Sequence, residues 1–291
     1  MVTWKTRLRI TPYFFLLPAM LLLGVFTFYP LTQAVRLSFY EWEIISEPVY
    51  TGLQNYRDTF GDFKFRQSML VTFHYVFVSV PGTIILALLT ALLLNAKLRL
   101  RNLFRSLIFF PAFTSLVAIG MIWKYMYSTD YGILNYFVGL LGGQPVGWLS
   151  DPAIALWSLI LVTIWHGLGW NMVIFLAGLQ NIPEGYYEAA RIDGANGIQR
   201  FWFITLPLLK PITLFVVVMA VIYTFRSFDF VFVTTKGGPG TSTSLLMWYF
   251  YRQGFIMYRM GQATSIALIL FLVVLLFTVL ELRLFRGEVR Y

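Results

Sequence analysis

Hydrophobic residues gather in long runs separated by short polar stretches, and the runs are longer than the core helices of a water-soluble domain require. Apolar segments fall near 13–39, 69–94, 107–126, 153–179, 212–234 and 264–284. At about 1.5 Å per residue, roughly 20 such residues cross the hydrocarbon of a bilayer. The pattern predicts an all-α integral membrane protein with six transmembrane helices and a single transmembrane domain over 1–291. Lys5, Arg7 and Arg9 precede the first run as they would in a secretory signal. That run is too long for one, and no small-x-small cleavage site follows, so it reads as a retained span, with a bend expected at Pro30.

Composition agrees. Of 291 residues, 58% are hydrophobic and 12% charged, about half the ~25% charge of a soluble domain. The formal charge is +9, and in a membrane protein the question is which loops carry it. Alternate loops and the termini hold thirteen Lys and Arg: Lys5, Arg7, Arg9, Lys97, Arg99, Arg101, Arg105, Arg191, Arg200, Lys210, Arg283, Arg286 and Arg290. The other side holds nine, together with most of the acids. The richer side faces the cytoplasm, which puts both termini inside. The basic excess is thus a topology signal, and no nucleic-acid partner is implied. The outer loops carry Tyr40, Trp42, Tyr50, Tyr56, Tyr125, Tyr127 and Tyr131, where an interfacial aromatic belt belongs. There is no Cys, and His74 and His166 cannot build a metal centre by themselves.

One cytoplasmic loop, 181–211, holds more polar chemistry than its neighbours. Pro183 suits a first helical turn, Glu184 sits beside the positive end of the helix dipole, and Gly194 suits a left-handed cap. The enclosed helix of about ten residues is shorter than the 12–15 that are marginal alone in water, so it wants a partner surface. Ala189 and Ala190 leave room for close approach, and Glu188 beside Arg191 offers charge for registry. A short connecting helix with no further role is equally compatible with that geometry.

The same loop reads Glu-Ala-Ala, three residues, Gly, nine residues, Ile-x-Leu-Pro, met by Glu188, Ala189, Ala190, Gly194, Ile204, Leu206 and Pro207. This resembles the signature of the inner-membrane permease subunits of binding-protein-dependent ABC importers. The resemblance implies a type I importer permease fold and a coupling helix seated in a cleft of a separate ATPase. Glu188 would meet a basic residue there, with Arg191 and Asp193 in the same contact region and Gly194 supplying the turn. Further stretches are similar to the carbohydrate-uptake class: Pro12 to Pro18, Phe28 to Pro30, Leu37 to Phe39, Gly52 to Tyr56, and Thr235 to Pro239 with Thr241 to Tyr251. They look like the first of two paired permeases, of maltose or glycerol-phosphate type. The large extra outer domain and added N-terminal spans of the enteric maltose permease are absent, so maltose specificity does not carry over.

Polar groups in a span face a cavity or another helix, and two spans collect them. Thr163, Gly167 and Trp170 share one face of the fourth, with His166 and Asn171 nearby. Ala220, Thr224 and Ser227 share one face of the fifth, with Tyr223, Arg226 and Asp229 nearby. Aromatic faces and neutral hydrogen bonders suit polyols. By position Gly167, Trp170, Thr224 and Ser227 resemble the sugar contacts of maltose-type permeases. Arg226 and Asp229 are three apart, so an intrahelical pair is the first reading, and Arg226 facing a substrate anion the second. His74 is expected to hydrogen-bond a neighbouring helix. His166 reads equally as pathway or packing.

No Gly-x-x-x-x-Gly-Lys-Ser/Thr loop occurs, so the chain is not an enzyme by this reading and carries no cofactor. ATP and Mg would sit on a partner ATPase. The implied partners are an ABC ATPase dimer, a second permease, an extracytoplasmic solute-binding protein, membrane lipid and a carbohydrate-like solute. The place is a bacterial or archaeal cytoplasmic membrane, spanned several times. A self-contained ion-coupled transporter is the alternative, weakened because Asp229 is the only acid well inside a span. A membrane enzyme comes third, since no nucleophile–base set is visible.

Overall fold

The computed structural model describes residues 4–96 and 99–284, with side chains from residue 12 onward. Lys97, Arg286 and Arg290 lie outside the described residues, as do the side chains of Lys5, Arg7 and Arg9. The described chain is mostly helical. Helix α1 (Trp4–Leu23) passes through a π turn at Gly24–Phe28 into α2 (Tyr29–Leu37). Pro30 comes just after this π turn, whose wider register accommodates a proline with no N–H to offer, and Pro12–Leu37 counts as one candidate span. A two-stranded antiparallel ribbon follows, β1 (Tyr40–Glu41) with β2 (Val49–Tyr50). Next come α3 (Gln54–Gly61), α4 (Phe63–Asn95), α5 (Arg101–Phe109), α6 (Leu116–Met126) and α7 (Ile133–Leu140). The long α8 (Ala155–Gln180) leads to α9 (Glu184–Ile192), α10 (Gly197–Arg200) and α11 (Leu206–Leu208). The chain ends with α12 (Lys210–Phe225), α13 (Asp229–Val233), α14 (Leu246–Tyr251) and α15 (Met260–Leu284).

Among the described residues, five stretches are long and apolar enough to cross a membrane: Pro12–Leu37, Phe63–Asn95, Ala155–Gln180, Lys210–Val233 and Met260–Leu284. The sixth predicted span, near 107–126, is not one straight helix. Arg101–Phe113 and Leu116–Met126 meet at a bend of 100°. Pro111 sits in a 3₁₀ turn, and Thr114 and Ser115 adopt extended ψ values of 140° and 131°, which ends helical hydrogen bonding there. Hydropathy averaged over a window sees the apolar run and misses the break.

The residues to Asp62 with Phe250–Ile269 form one compact unit, and Phe63–Tyr249 with the residues from Leu270 form another. In the first, buried Asn55 ties α3 to the chain before it, its Nδ2 donating to the Ser38 and Tyr40 carbonyls at 2.9 Å each. Tyr56, expected in an interfacial belt, instead donates inward to Ser38 Oγ at 2.7 Å.

The second unit is built on α4 packed along α8. Its core holds Ala87, Ala91, Met172, Phe175, Leu209 and Val216. Lipid is as apolar as leucine, so such helices associate through close packing, and small residues at the contact allow it. At Gly169 the close approach is to main chain: a Cβ there would run into the Ile108 carbonyl and the Phe109 Cα, both backbone. Tyr127, also expected in the belt, is buried and donates to the Ser158 carbonyl at 3.1 Å. Burial pushes its hydroxyl up to about 12. His74 meets Trp157 edge to face, ring centroids 5.1 Å apart, and the expected hydrogen bond is not seen among the described residues.

The loop between α6 and α8 is organised by one buried amide. Asn135 Nδ2 donates to the Thr129 and Val146 carbonyls, while Oδ1 accepts from Val146 N at 3.0 Å and Trp148 Nε1 at 2.9 Å. Asn135→Ala would leave several of these groups without partners, at about 2–4 kcal/mol for a network of this kind. The expected result is a lower melting temperature in detergent, with the loop becoming sensitive to protease before the spans do.

Candidate functional site

Two sites emerge, one on the 181–211 loop and one between spans. On the loop, Pro183 (φ −59°, ψ 133°) takes the cap position rather than the first turn, and Glu184 opens α9. The other end closes as Gly194 predicts. With Asp193 as the cap, Ala195 N donates to the Ala190 carbonyl at 2.8 Å and Gly194 N to Arg191 at 3.1 Å. This reciprocal pair is a Schellman closure, which needs the left-handed residue that Gly194 supplies at φ +82°. Two residues later Asn196 opens α10 with a capping box: Asn196 Oδ1 accepts from Gln199 N, and Gln199 Oε1 from Asn196 N. The loop is therefore a stiff helix–turn–helix. Its base is tied by Tyr187 Oη to Thr205 Oγ1 at 2.9 Å.

The two charges offered for registry, Glu188 and Arg191, have different surroundings. Arg191 reaches back two turns to Glu184 at 4.0 Å and donates Nε to the Tyr187 carbonyl. Glu188 is left exposed, with neither ion pair nor hydrogen bond among the described residues. So exposed a pair as Arg191–Glu184 contributes little stability. Ile192 and Ile198, flanking the turn, are 87% and 72% exposed. An unpaired carboxylate beside two bare isoleucines is a surface that suits a protein partner.

Between the spans lies a cavity of about 290 Å³. α8 lines it with Thr163, His166, Gly167, Trp170 and Asn171, α12 with Met219, Ala220, Tyr223 and Thr224. Thr83 of α4 and Ala112 of the 3₁₀ turn complete the wall. No Lys, Arg, Asp or Glu is among these residues. The Trp170 ring stacks with Phe109 at 24° and 6.1 Å and stays 58% exposed. Asn171 Nδ2 donates to the Gly167 carbonyl at 2.7 Å, which leaves its Oδ1 to accept from a guest. Gly167 keeps the wall open: a Cβ there would approach Thr83 Cγ2 to 3.1 Å.

Residues 63–287 match the family described as the binding-protein-dependent transport system inner membrane component. The chain belongs to that family. This permease is 38% identical over 275 residues to a probable ABC transporter permease protein, YesP, of Bacillus subtilis (strain 168), covering 92% of this chain and 88% of that one. It is 36% identical over 278 residues to the trehalose/maltose transport system permease protein MalF of Thermococcus litoralis, covering 94% and 93%. Among solved structures it resembles a chain from a bacterial ABC transporter involved in the import of the acidic polysaccharide alginate. There the TM-score is 0.86 at 22% identity, covering 99% of each chain. The fold is that of an ABC importer permease.

In this permease five of the sequence-selected pathway residues, Thr163, Gly167, Trp170, Asn171 and Thr224, come together on one cavity. Ser227, Arg226 and Asp229 do not line it. Nor do Arg226 and Asp229 share a helix: α12 ends at Phe225 and α13 starts at Asp229. Both are exposed, and no ion pair joins them among the described residues. Ser227 instead meets the buried Tyr75 hydroxyl. Thr83, Ala112, Met219 and Tyr75 were missed. Thr83 and Tyr75 share a polar stripe on α4, Ser68, Thr72, Tyr75, Ser79 and Thr83 at spacings of four and three, and this periodicity was legible in the sequence.

Proposed function

We propose that this permease is one of two membrane subunits of an ATP-driven importer that brings a carbohydrate-like solute into the cytoplasm by alternating access. The carrying observation is the cavity: a half-exposed Trp170 face, Asn171 and threonine hydroxyls, and no charged side chain on its wall. Aromatic faces pack on sugar C–H groups, and neutral hydrogen bonders orient the hydroxyls. Relatives named for trehalose/maltose, arabinooligosaccharides and lactose support this class of solute. ATP and Mg are held by a separate ATPase dimer, and both termini of this chain face that side, in a bacterial or archaeal cytoplasmic membrane. α9 is the coupling helix, with Glu188 meeting a basic residue of the ATPase. An extracytoplasmic binding protein delivers the solute, as in the neighbouring alginate importer solved with its pentasaccharide-bound periplasmic protein.

The test is ATP hydrolysis by the purified assembly in proteoliposomes, across a panel of solute-loaded binding protein. Neutral sugars or polyols should stimulate it, and a panel in which only anionic or amino-acid solutes did so would overturn the reading. Trp170→Ala should raise the solute concentration for half-maximal uptake about tenfold, on the scale of one aromatic contact. Maximal uptake should change less.

A further inference from the structure

The buried Tyr75 ring sits in the middle of α4, fully shielded, and its hydroxyl is shared by two other helical segments. Thr163 Oγ1 of α8 lies 2.5 Å away and Ser227 Oγ, just past α12, lies 3.2 Å away. The proton directions follow from the donors available. Thr163 spends its only hydroxyl proton on the Leu159 carbonyl at 3.0 Å, so Tyr75 must donate to Thr163. Ser227 must then donate to Tyr75. The result is a one-way chain from Ser227 to Tyr75 to Thr163 to the α8 backbone.

Its position matters more than its strength. Thr163 belongs both to this knot and to the cavity wall. Along α8 it is the lining residue farthest from Gln180, where the 181–211 loop begins. On α4, Tyr75 lies eight residues, about 12 Å of helix, beyond Thr83 in the same direction away from that loop. On the third segment Ser227 lies beyond Thr224, in the non-helical break before α13. All three members thus stand at the end of the cavity opposite the loop.

Farther along the same α4 face the pattern continues. Leu246 N donates to Thr72 Oγ1 at 2.7 Å, and Ser68 and Ser244 hydroxyls meet at 2.8 Å. Each rung is a neutral hydrogen bond, weak enough to break and remake. Ser79, one turn from Tyr75 toward the cavity, has a buried hydroxyl with no hydrogen-bond partner among the described residues. An unmet buried hydroxyl is costly.

We propose that Tyr75 is a positioning residue whose hydroxyl latches the cavity on the side away from the 181–211 loop, and that the latch must part for solute to enter. The proposal rests on the importer reading above. It does not place Tyr75 in contact with solute.

The chain has no cysteine, so a single Met219→Cys on the cavity wall reports access. The complete assembly in right-side-out membranes would be treated with a membrane-impermeant thiol reagent, without nucleotide, and labelling read on this chain. In the Tyr75→Phe background, which keeps the ring and removes the hydroxyl, labelling should be roughly three- to tenfold faster, the range that one neutral hydrogen bond gives. ATP hydrolysis without binding protein should rise by a similar factor, while the maximal stimulated rate changes less than about twofold. Should Tyr75→Phe fail to assemble, Ser227→Ala removes the neighbouring rung with the ring intact and is expected to give the same gain.

Labelling and basal hydrolysis equal to the parent in an assembled variant would overturn the latch. A parent assembly that binding protein and solute do not stimulate would instead overturn the importer reading. The labelling comparison would still decide the latch.

Discussion

Glu188→Lys is expected to abolish solute uptake while the protein still reaches the membrane in normal amount. The side chain is exposed and unpaired, so reversing its charge breaks no internal contact of this chain. Surface changes away from special features usually cost less than about 0.5 kcal/mol, so the fold should not notice. At the proposed interface with an ATPase the same change would set a lysine against a basic residue, and like charges brought together cost several kcal/mol. Coupling has no slack for that, because a helix transmits a motion only if it binds its partner differently in the two states. Uptake and solute-stimulated ATP hydrolysis should both fall below about a hundredth of the parent value. Gly194→Asp should give a related but distinguishable defect. It forces a side chain into φ +82° and weakens the Schellman closure, so it should also loosen the loop and raise its protease sensitivity. Unimpaired uptake in both variants would remove the coupling role.

Gly169→Leu should have the other large effect, on assembly rather than coupling. α8 meets the backbone of α5 at Gly169, where even a single Cβ collides with the Ile108 carbonyl and Phe109 Cα. Backbone cannot rotate aside as a side chain can. Overpacking of this kind costs about 1–3 kcal/mol, and more where the obstacle is main chain. The variant should be recovered in low yield and aggregate on mild heating in detergent. Gly167, two residues away, makes the contrast. There the neighbour is a threonine methyl at 3.1 Å, so Gly167→Ala should assemble normally and impair solute transport instead. Fluorescence-detected size exclusion after a heat step separates the two outcomes.

The 181–211 loop was legible because its conformation is set by local chemistry. A proline and an acid open a short helix, a glycine with positive φ closes it, and Asn196 with Gln199 opens the next. The cavity was half legible. Thr163, Gly167, Trp170 and Asn171 share a face because helical periodicity puts them there, whatever the tertiary structure. Ser227 and Asp229 were misplaced because periodicity was extended past Phe225, where the helix stops. The 100° bend after Phe113 was hidden by a run that stays apolar through the break. The polar stripe on α4 puts Tyr75 on a hydrogen-bonding face, but it does not say which partners, 88 and 152 residues away, its hydroxyl meets.

On the surface, Glu188 and Arg191 read in the sequence as charges for registry with a partner; Arg191 turns back to Glu184, and Glu188 stays exposed.

The account stands or falls on whether this permease works through a separate ATPase reached by α9. The direct measurement is gentle detergent extraction of the tagged chain, with mass spectrometry of the purified complex and an assay of its ATP hydrolysis. The prediction is a P-loop ATPase together with a second multi-span permease, and an ATPase selectively lost from the Glu188→Lys complex. A chain isolated alone or as a homodimer, from membranes where it supports uptake, would contradict the account and point to ion-coupled transport.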